Sequence, residues 1–323
     1  MFAVYCDTPD PENPLAALRL GERPEPEPRP GWVRVRVTHA SLNRHDLFTL
    51  CGVTGHATPI PFPMILGNDA AGCLDDGTAV VLYPVIVGES EWGDETLTPS
   101  WRIFSEREQG TFADYVLAPQ RNVIPLPPEL SPLHAAVLGT AWLTAWRMLC
   151  TKSGLRPGQT MLVQGATGGM ATALVQLGRT MGMEVWVTSR SREGRELALQ
   201  LGAHQAFEEQ ASLPRKAHAV FDNVGRATWA HSLASVRRGG TIVTVGITSG
   251  GEVEMPLLPV IVDQLTITGS VMGSLAEMHE LVNFVARMGI VPEICAVLPM
   301  EQAADAFAMM AGSRLQGKVV LTR

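Results

Sequence analysis

Met161-Leu162-Val163-Gln164-Gly165-Ala166-Thr167-Gly168-Gly169-Met170-Ala171 decides how this chain folds. The first four residues make a short buried strand, and a glycine-rich turn follows. Ala171, Leu174, Val175 and Gly178 then recur at i, i+3, i+4, i+7, the spacing of a helix with one apolar face. The pattern continues downstream. Residues 184–188 read as a strand, 192–201 as a helix stopped by Gly202, and Ala217–Asp222, 241–246 and 265–269 as further strands. Strands alternating with helices predict an α/β fold built on a Rossmann-type, doubly wound parallel sheet.

That sheet accounts only for the middle of the chain. Residues 1–130 are rich in proline and in short β-type runs. Trp32-Val33-Arg34-Val35-Arg36-Val37 alternates apolar and charged residues, as a half-exposed strand does, whereas Ala79-Val80-Val81-Leu82-Tyr83 is continuously apolar and reads as buried. Residues 22–30 alternate proline with charge, which excludes a helix and predicts an extended connector. Beyond residue 270 come two amphipathic helices, around 275–288 and 300–312, and a last strand, Lys318–Thr322.

The length of 323 residues suggests about two domains at roughly 150 residues each. With 46% hydrophobic and 18% charged residues the chain can bury a large core, which excludes disorder. A net charge of −7 is the wrong sign for binding a nucleic-acid backbone. No apolar stretch approaches the roughly 18 residues that span a bilayer, so no membrane partner is expected. Residues 1–7 carry neither a basic region nor a long apolar segment, and no secretory signal is read there. The five cysteines are odd in number and scattered, so they make neither a disulfide framework nor a CxxC pair. The expectation is a cytoplasmic protein acting on a small molecule.

Ala166-x-Gly168-x-x-Ala171 stands where a dinucleotide pyrophosphate rests on a helix N-terminus, with Gly168, Gly169 and Met170 offering backbone N–H groups. It departs from G-x-G-x-x-G by carrying alanine at the first and third places. A site for NAD wants a carboxylate about 20 residues on, to grip the ribose 2′-OH. That place holds Ser189, followed by Arg190 and nearby Arg192. A hydroxyl and a guanidinium hold a 2′-phosphate through charge-assisted bonds, whereas a carboxylate repels it. The reading is NADPH rather than NADH.

These motifs keep company with others in a fixed order. Ala40-Ser41-Leu42-Asn43-Arg44-His45-Asp46, Ile65-Leu66-Gly67-Asn68-Asp69-Ala70-Ala71-Gly72 and Leu143-Thr144-Ala145-Trp146 precede the glycine loop. Phe221-Asp222-Asn223-Val224-Gly225, Gly239-Gly240-Thr241 and Gly317-Lys318-Val319 follow it. Over essentially its whole length the chain resembles the medium-chain dehydrogenase/reductase superfamily, near the quinone oxidoreductase and zinc-type alcohol dehydrogenase-like branches. The resemblance implies a discontinuous GroES-like, mainly-β catalytic domain from residues 1–125 and 268–323, with a Rossmann NADP-binding domain, 126–267, between. It also implies a homodimer or homotetramer pairing Rossmann edge strands, for which the apolar run 255–262 beside 265–269 is suited; the same run reads equally well as interior. The cofactor contacts it implies are Thr144, read at a helix start, the turns Asn223-Val224 and Gly246-Ile247, and Met272-Gly273 by the nicotinamide.

In the zinc branch a catalytic metal is held by a Cys, a His and usually a second Cys. Those places hold Asn43, Asn68 and Thr140, and amides and hydroxyls are poor zinc ligands. The four cysteines of that branch's structural zinc are also missing, since no Cys lies between Cys73 and Cys150. Residues 89–107 read as the lobe kept without its metal. His39, His45, Cys51, His56, Asp69 and Cys73 fall close together in sequence, yet no pair has recognisable ligand spacing. No zinc is expected. Without a Lewis acid, alcohol oxidation lacks a stabiliser worth several kcal/mol, whereas a quinone or an α,β-unsaturated carbonyl delocalises the incoming charge itself. By resemblance, Asn43 is placed to donate to a carbonyl oxygen or fix the nicotinamide. His45 stands where the zinc branch carries a proton-relaying hydroxyl, and is a candidate proton donor. The expectation is an NADPH-dependent, zinc-independent reductase. Its rivals are a zinc-type dehydrogenase with an atypical metal site and a non-enzymatic NADPH-binding sensor or crystallin-like protein.

Overall fold

The tail of the chain completes a sheet begun by its head. In the computed structural model, which describes residues 1–55, 58–88, 93–312 and 315–323, the chain divides into two units, Met1–Leu143 with Gly273–Arg323, and Thr144–Met272.

In the first unit the long strand Trp32–Ser41 lies at the centre of a seven-stranded sheet. It pairs antiparallel with Asp69–Cys73 and Tyr115–Pro119, and also with the C-terminal strand Lys318–Thr322 through Val320↔Ser41, Leu321↔Ala40 and Thr322↔His39. Ile294–Pro299 then adds in parallel beside Lys318–Thr322. Along the central strand Val35 and Val37 point into the core while Arg34 and Arg36 face water, as the alternation predicts. Val80 and Leu82 meet them from Ala79–Leu82, and Phe112 packs edge-to-face on Phe307 with centroids 6.3 Å apart. Phe307 sits on the helix Ala303–Ala311, so the tail supplies core as well as edge. Met300 and Met310 are buried, whereas Met288 and Met309 are exposed.

The second unit is a six-stranded, wholly parallel sheet. Its order is Gln205–Glu208, Glu184–Ser189, Thr160–Gln164, Ala217–Asp222, Val236–Thr244, Thr266–Gly269. Numbered along the chain this is 3-2-1-4-5-6, the doubly wound Rossmann order. Leu162, Trp186, Val220 and Ile242 pack in its core beside Trp229 of the helix Arg226–Ser235. The edge strand Gln205–Glu208 has no counterpart in the sequence reading, because four residues with polar ends give no periodicity.

The domain boundaries fall later than the 125/126 and 267/268 read from sequence. The helix Pro132–Ala135 packs on Asp69–Cys73 and Ala79–Leu82, and the π-helical turn Leu138–Trp142 packs on Asp69–Cys73, which ties 126–143 to the first unit. The apolar run 255–262 is not interior to its unit: Leu257, Leu258 and Ile261 are 64%, 71% and 69% exposed. No helix among the described residues is long and apolar enough to cross a membrane.

Candidate functional site

In the first unit, Asn43 lies two residues past the end of the long strand Trp32–Ser41 and immediately precedes the helix Arg44–Leu50. The buried Asp46, in the first turn of that helix, accepts the backbone N–H of Asn43 at 2.8 Å and that of Gly67 at 3.0 Å. Burial raises its carboxyl to about 6 against these hydrogen bonds. Gly67 has φ +96, and a Cβ there would meet the Phe112 ring at 2.4 Å, so this junction tolerates only glycine.

Around Asn43 lies a buried polar cluster. Its Nδ2 donates to Asp69 Oδ2 at 2.8 Å and to the Ser41 carbonyl at 3.3 Å, while its Oδ1 accepts from Lys318 Nζ at 2.6 Å. Lys318 also donates to the Leu42 carbonyl at 2.6 Å and lies 3.7 Å from Asp69 Oδ2. Asp69 further accepts from Ser41 Oγ at 3.1 Å and from Thr140 Oγ1 at 2.6 Å. Burial lowers the Lys318 ammonium from its usual range, against the pull of Asp69 and Asp46. The expected donation from Asn43 to a carbonyl oxygen therefore has no proton left, since both amide hydrogens are bonded within the protein. Lys318, which sequence reasoning quoted only inside a motif, is the group that orients this amide.

The three zinc-branch positions do not fit a metal. Asn43 Oδ1 faces an ammonium, and Thr140 gives its proton to Asp69. Asn68 Nδ2 donates to the Phe104 carbonyl at 2.6 Å, leaving a buried Oδ1 with no partner among the described residues. No group of three or more His, Cys, Asp or Glu among the described residues is arranged to hold a metal ion. His56 and residues 89–92 of the stretch read as a lobe without its metal lie outside the described residues.

His45 is held on the same helix with its Nε2 3.2 Å from Glu106 Oε1, and the two side chains are 20% and 5% exposed. Ser105, just before Glu106, has φ +64, a left-handed conformation unusual for serine. Thr49 Oγ1 lies 3.1 Å from the Ser105 carbonyl, which fastens the turn to the helix. Glu106 carried no motif signal, because only folding brings residue 106 to residue 45.

In the second unit the glycine loop is built as a strand-to-helix turn. Gly165 has φ +87, and the helix Gly169–Thr180 opens at Gly168 with no side chain capping its first turn. A Cβ on Gly168 would meet nothing within 4 Å, and its φ is not positive, so nothing in the protein itself requires glycine there. Open space before uncapped N–H groups is a cradle that a side chain would fill, and it suits a phosphate. Ala166 and Ala171 are buried beneath it.

Opposite this loop Asp222 organises the turn at Asn223-Val224. One carboxylate oxygen accepts the N–H groups of Val224 and Gly225, both at 3.0 Å, and the hydroxyls of Thr228 and Ser232 also reach the carboxylate. A Cβ on Gly246 would fall 1.9 Å from the Asn223 carbonyl, so the turns at 223–224 and 246–247 pack together through glycine alone. Ile247 is 63% exposed beside them.

Ser189 ends its strand buried, and the exposed Arg190 has no hydrogen bond or ion pair among the described residues. Arg192 is instead tied to Glu196 at 2.7 Å on the exposed face of its helix. Arg195, not singled out in the sequence, donates to the Ser189 carbonyl at 2.9 Å and pairs with Glu208 at 3.3 Å. Of the two arginines read for the phosphate, Arg190 alone stands unengaged. Thr144 is buried inside the helix Leu143–Arg147, which continues the preceding π-turn, so it is not at a helix start as expected. Met272 closes the second unit with φ +49, and in the first unit the Gly273 carbonyl accepts from Tyr83 Oη at 2.8 Å.

Comparison with known proteins agrees with this architecture. Residues 29–128 match the alcohol dehydrogenase GroES-like domain and 169–287 match the zinc-binding dehydrogenase family. An alcohol dehydrogenase of Geobacillus stearothermophilus is 28% identical over 94% of this chain and 95% of its own. The putative quinone oxidoreductase YhfP of Bacillus subtilis is 30% identical over 73% of this chain and 72% of its own. A solved NAD-dependent alcohol dehydrogenase superposes with a TM-score of 0.91 at 32% identity, covering all of both chains.

Proposed function

The chain belongs to the medium-chain dehydrogenase/reductase superfamily of NAD(P)-binding oxidoreductases, and within it we propose an NADPH-dependent, zinc-independent reductase of quinones or α,β-unsaturated carbonyls. The observation that carries this reading is the donor set at the zinc-branch positions. Two amides and a hydroxyl, one of the amides already facing an ammonium, leave no place for a Lewis acid. An electron-poor acceptor needs none, because its own conjugation spreads the added charge.

Bound NADPH would supply the hydride. Gly168, Gly169 and Met170 would hold the pyrophosphate on backbone N–H groups, and Ser189 with Arg190 the 2′-phosphate. Asp222 keeps the Asn223-Val224 turn in place for the same ligand. In the first unit His45, beside the Glu106 carboxylate, would deliver the proton that completes reduction. Replacing it by glutamine in His45→Gln will lower kcat on enones about a hundredfold while leaving KM for NADPH unchanged, as loss of general-acid help does. Steady-state kinetics with a saturating acceptor check this, and an unchanged kcat would remove His45 from the proton's path. The exposed Leu257, Leu258 and Ile261 beside the edge strand Thr266–Gly269 support a homodimer or homotetramer, and we place the enzyme in the cytoplasm.

The test is NADPH oxidation by chelator-treated protein against quinones, enals and enones, with NADH in parallel. Turnover that prefers NADPH and ignores the chelator is expected. Turnover restored only by zinc would favour the alcohol dehydrogenase reading. Tight NADPH binding with no turnover on any acceptor would favour a sensor.

A further inference from the structure

One rung of the parallel sheet is polar where the rung before it is apolar. Gln164 stands opposite Thr188 on one neighbouring strand and opposite Asp222 on the other. Each of the three is at most 1% exposed, and the preceding rung is Val163, Val187 and Phe221. Buried polar groups cost free energy unless they are bonded, and apolar side chains of the same shape fill such a place without that cost. A rung that is polar across three strands therefore serves something besides packing.

Its hydrogens can be followed one by one. Thr188 Oγ1 donates to Gln164 Oε1 at 2.6 Å, which fixes the direction of the amide. The amide nitrogen then directs its two hydrogens to His231 Nδ1 at 2.9 Å and to Ser232 Oγ at 3.1 Å. Because Nδ1 accepts, the His231 ring carries its hydrogen on Nε2, which donates to the Ala211 carbonyl at 2.9 Å. Ser232 gives its own hydrogen to Asp222 Oδ2 at 2.6 Å, and Asp222 holds the N–H groups of Val224 and Gly225. The chain runs unbroken from Thr188 to the Asn223-Val224 turn, with Gln164 as the link between Thr188 and Ser232.

We propose that Gln164 is a positioning residue for the cofactor, which locks three strand ends into one rigid rung. Each member of the rung immediately precedes a segment assigned above to NADPH, and the inference rests on that assignment. Gly165 and the glycine loop follow Gln164, Ser189 and Arg190 follow Thr188, and Asn223-Val224 follow Asp222. The amide thus sets the three segments against one another from a wholly buried place, and a fully satisfied network of this kind admits one arrangement.

The test is binding without an acceptor, so it does not depend on turnover. Fluorescence titration with NADPH, and with NADH in parallel, should show Gln164→Leu binding about tenfold more weakly than the parent. Thr188→Val, which loses one hydroxyl at equal size, should weaken binding about fivefold, and Thr188→Ser, which keeps it, should stay within about twofold. Amide hydrogen exchange supplies a readout that a merely structural role does not move. In Thr188→Val the N–H groups of Val224 and Gly225 should exchange about tenfold faster, although Thr188 bonds to neither. Those of Gln205–Glu208, paired directly with the strand of Thr188, should keep the parent rate.

Lower thermal stability of Gln164→Leu and Thr188→Val with unchanged affinity would make the rung a packing feature and overturn the proposal. Equal weakening by Thr188→Ser and Thr188→Val would overturn it too, because the hydroxyl would then not be what matters. Should Gln164→Leu not fold, the two threonine variants decide between the same outcomes. A parent that binds neither NADPH nor NADH would remove the cofactor assignment, and this inference with it. A parent and a Gln164→Leu variant that bind NADPH equally well would leave the assignment standing and remove the inference alone.

Discussion

Asp222→Ala will destabilise the second unit by about 3–5 kcal/mol and raise the dissociation constant for NADPH at least tenfold. The carboxylate is fully buried and accepts from two backbone N–H groups and two hydroxyls. Hydrogen bonds to a charged group contribute about 1.5–3 kcal/mol each. The Thr228 and Ser232 hydroxyls can rotate toward other acceptors, but the N–H groups of Val224 and Gly225 cannot, because the turn fixes their direction. Gly225 has φ +95 and the Gly246 backbone lies against Asn223, so the loop has no neighbouring conformation to relax into. Loss of the carboxylate therefore appears in two measurements at once. Equilibrium denaturation should show the lower stability, and fluorescence titration with NADPH the weaker binding. Asp222→Asn, which keeps one acceptor oxygen, should fall between. An Asp222→Ala protein within 1 kcal/mol of the parent would mean that these bonds are not what holds the Asn223-Val224 turn.

The strand that ends in Asp222 was legible in sequence, but the work of its last residue was not. An apolar run announces a buried strand through composition alone. Which backbone groups a terminal carboxylate will satisfy depends on how the following six residues turn, and local pattern does not carry that. The same limit explains Asn43. Its place in a motif suggested a free amide, and only the pairing of Lys318–Thr322 with Trp32–Ser41 brings the lysine that takes up its oxygen. Lys318 stands in sequence only as the first residue of the last strand, and nothing in its neighbours announces burial. His45 and Glu106 are joined by tertiary folding in the same way. By contrast, the glycine loop, the helix Leu275–Met288 and the strand Lys318–Thr322 follow from periodicity within a single segment, and they lie where that periodicity put them. What was legible is what one segment determines by itself.

Ser189→Asp combined with Arg190→Ala will turn the cofactor preference from NADPH toward NADH, with the ratio of their kcat/KM values changing by about two orders of magnitude or more. The argument runs through both residues. Arg190 is exposed and unengaged among the described residues, so its guanidinium is available to a 2′-phosphate. Removing a charge-assisted contact costs about 1.5–3 kcal/mol, and each 1.4 kcal/mol is tenfold. A carboxylate at 189 adds repulsion of the phosphate and, for NADH, a partner for the ribose hydroxyls. The new carboxylate also has electrostatic support. Ser189 ends its strand near the start of the helix Arg192–Gln200, where the helix dipole favours a negative charge. Ser191 retains the N-cap bond to Gly194, and Arg195, already bonded to the Ser189 carbonyl, lies close enough to moderate the new charge. The reading of Arg190 is separated from that of Arg192 by a control. Arg192 is engaged with Glu196, so Arg192→Ala should leave the preference within about twofold, the scale of an exposed ion pair. If instead Arg192→Ala alone collapses the NADPH preference, the phosphate sits on the helix rather than at the strand end. If neither change moves the ratio, the 2′-position is not read at this strand at all, and the proposed choice of NADPH through Ser189 and Arg190 is wrong.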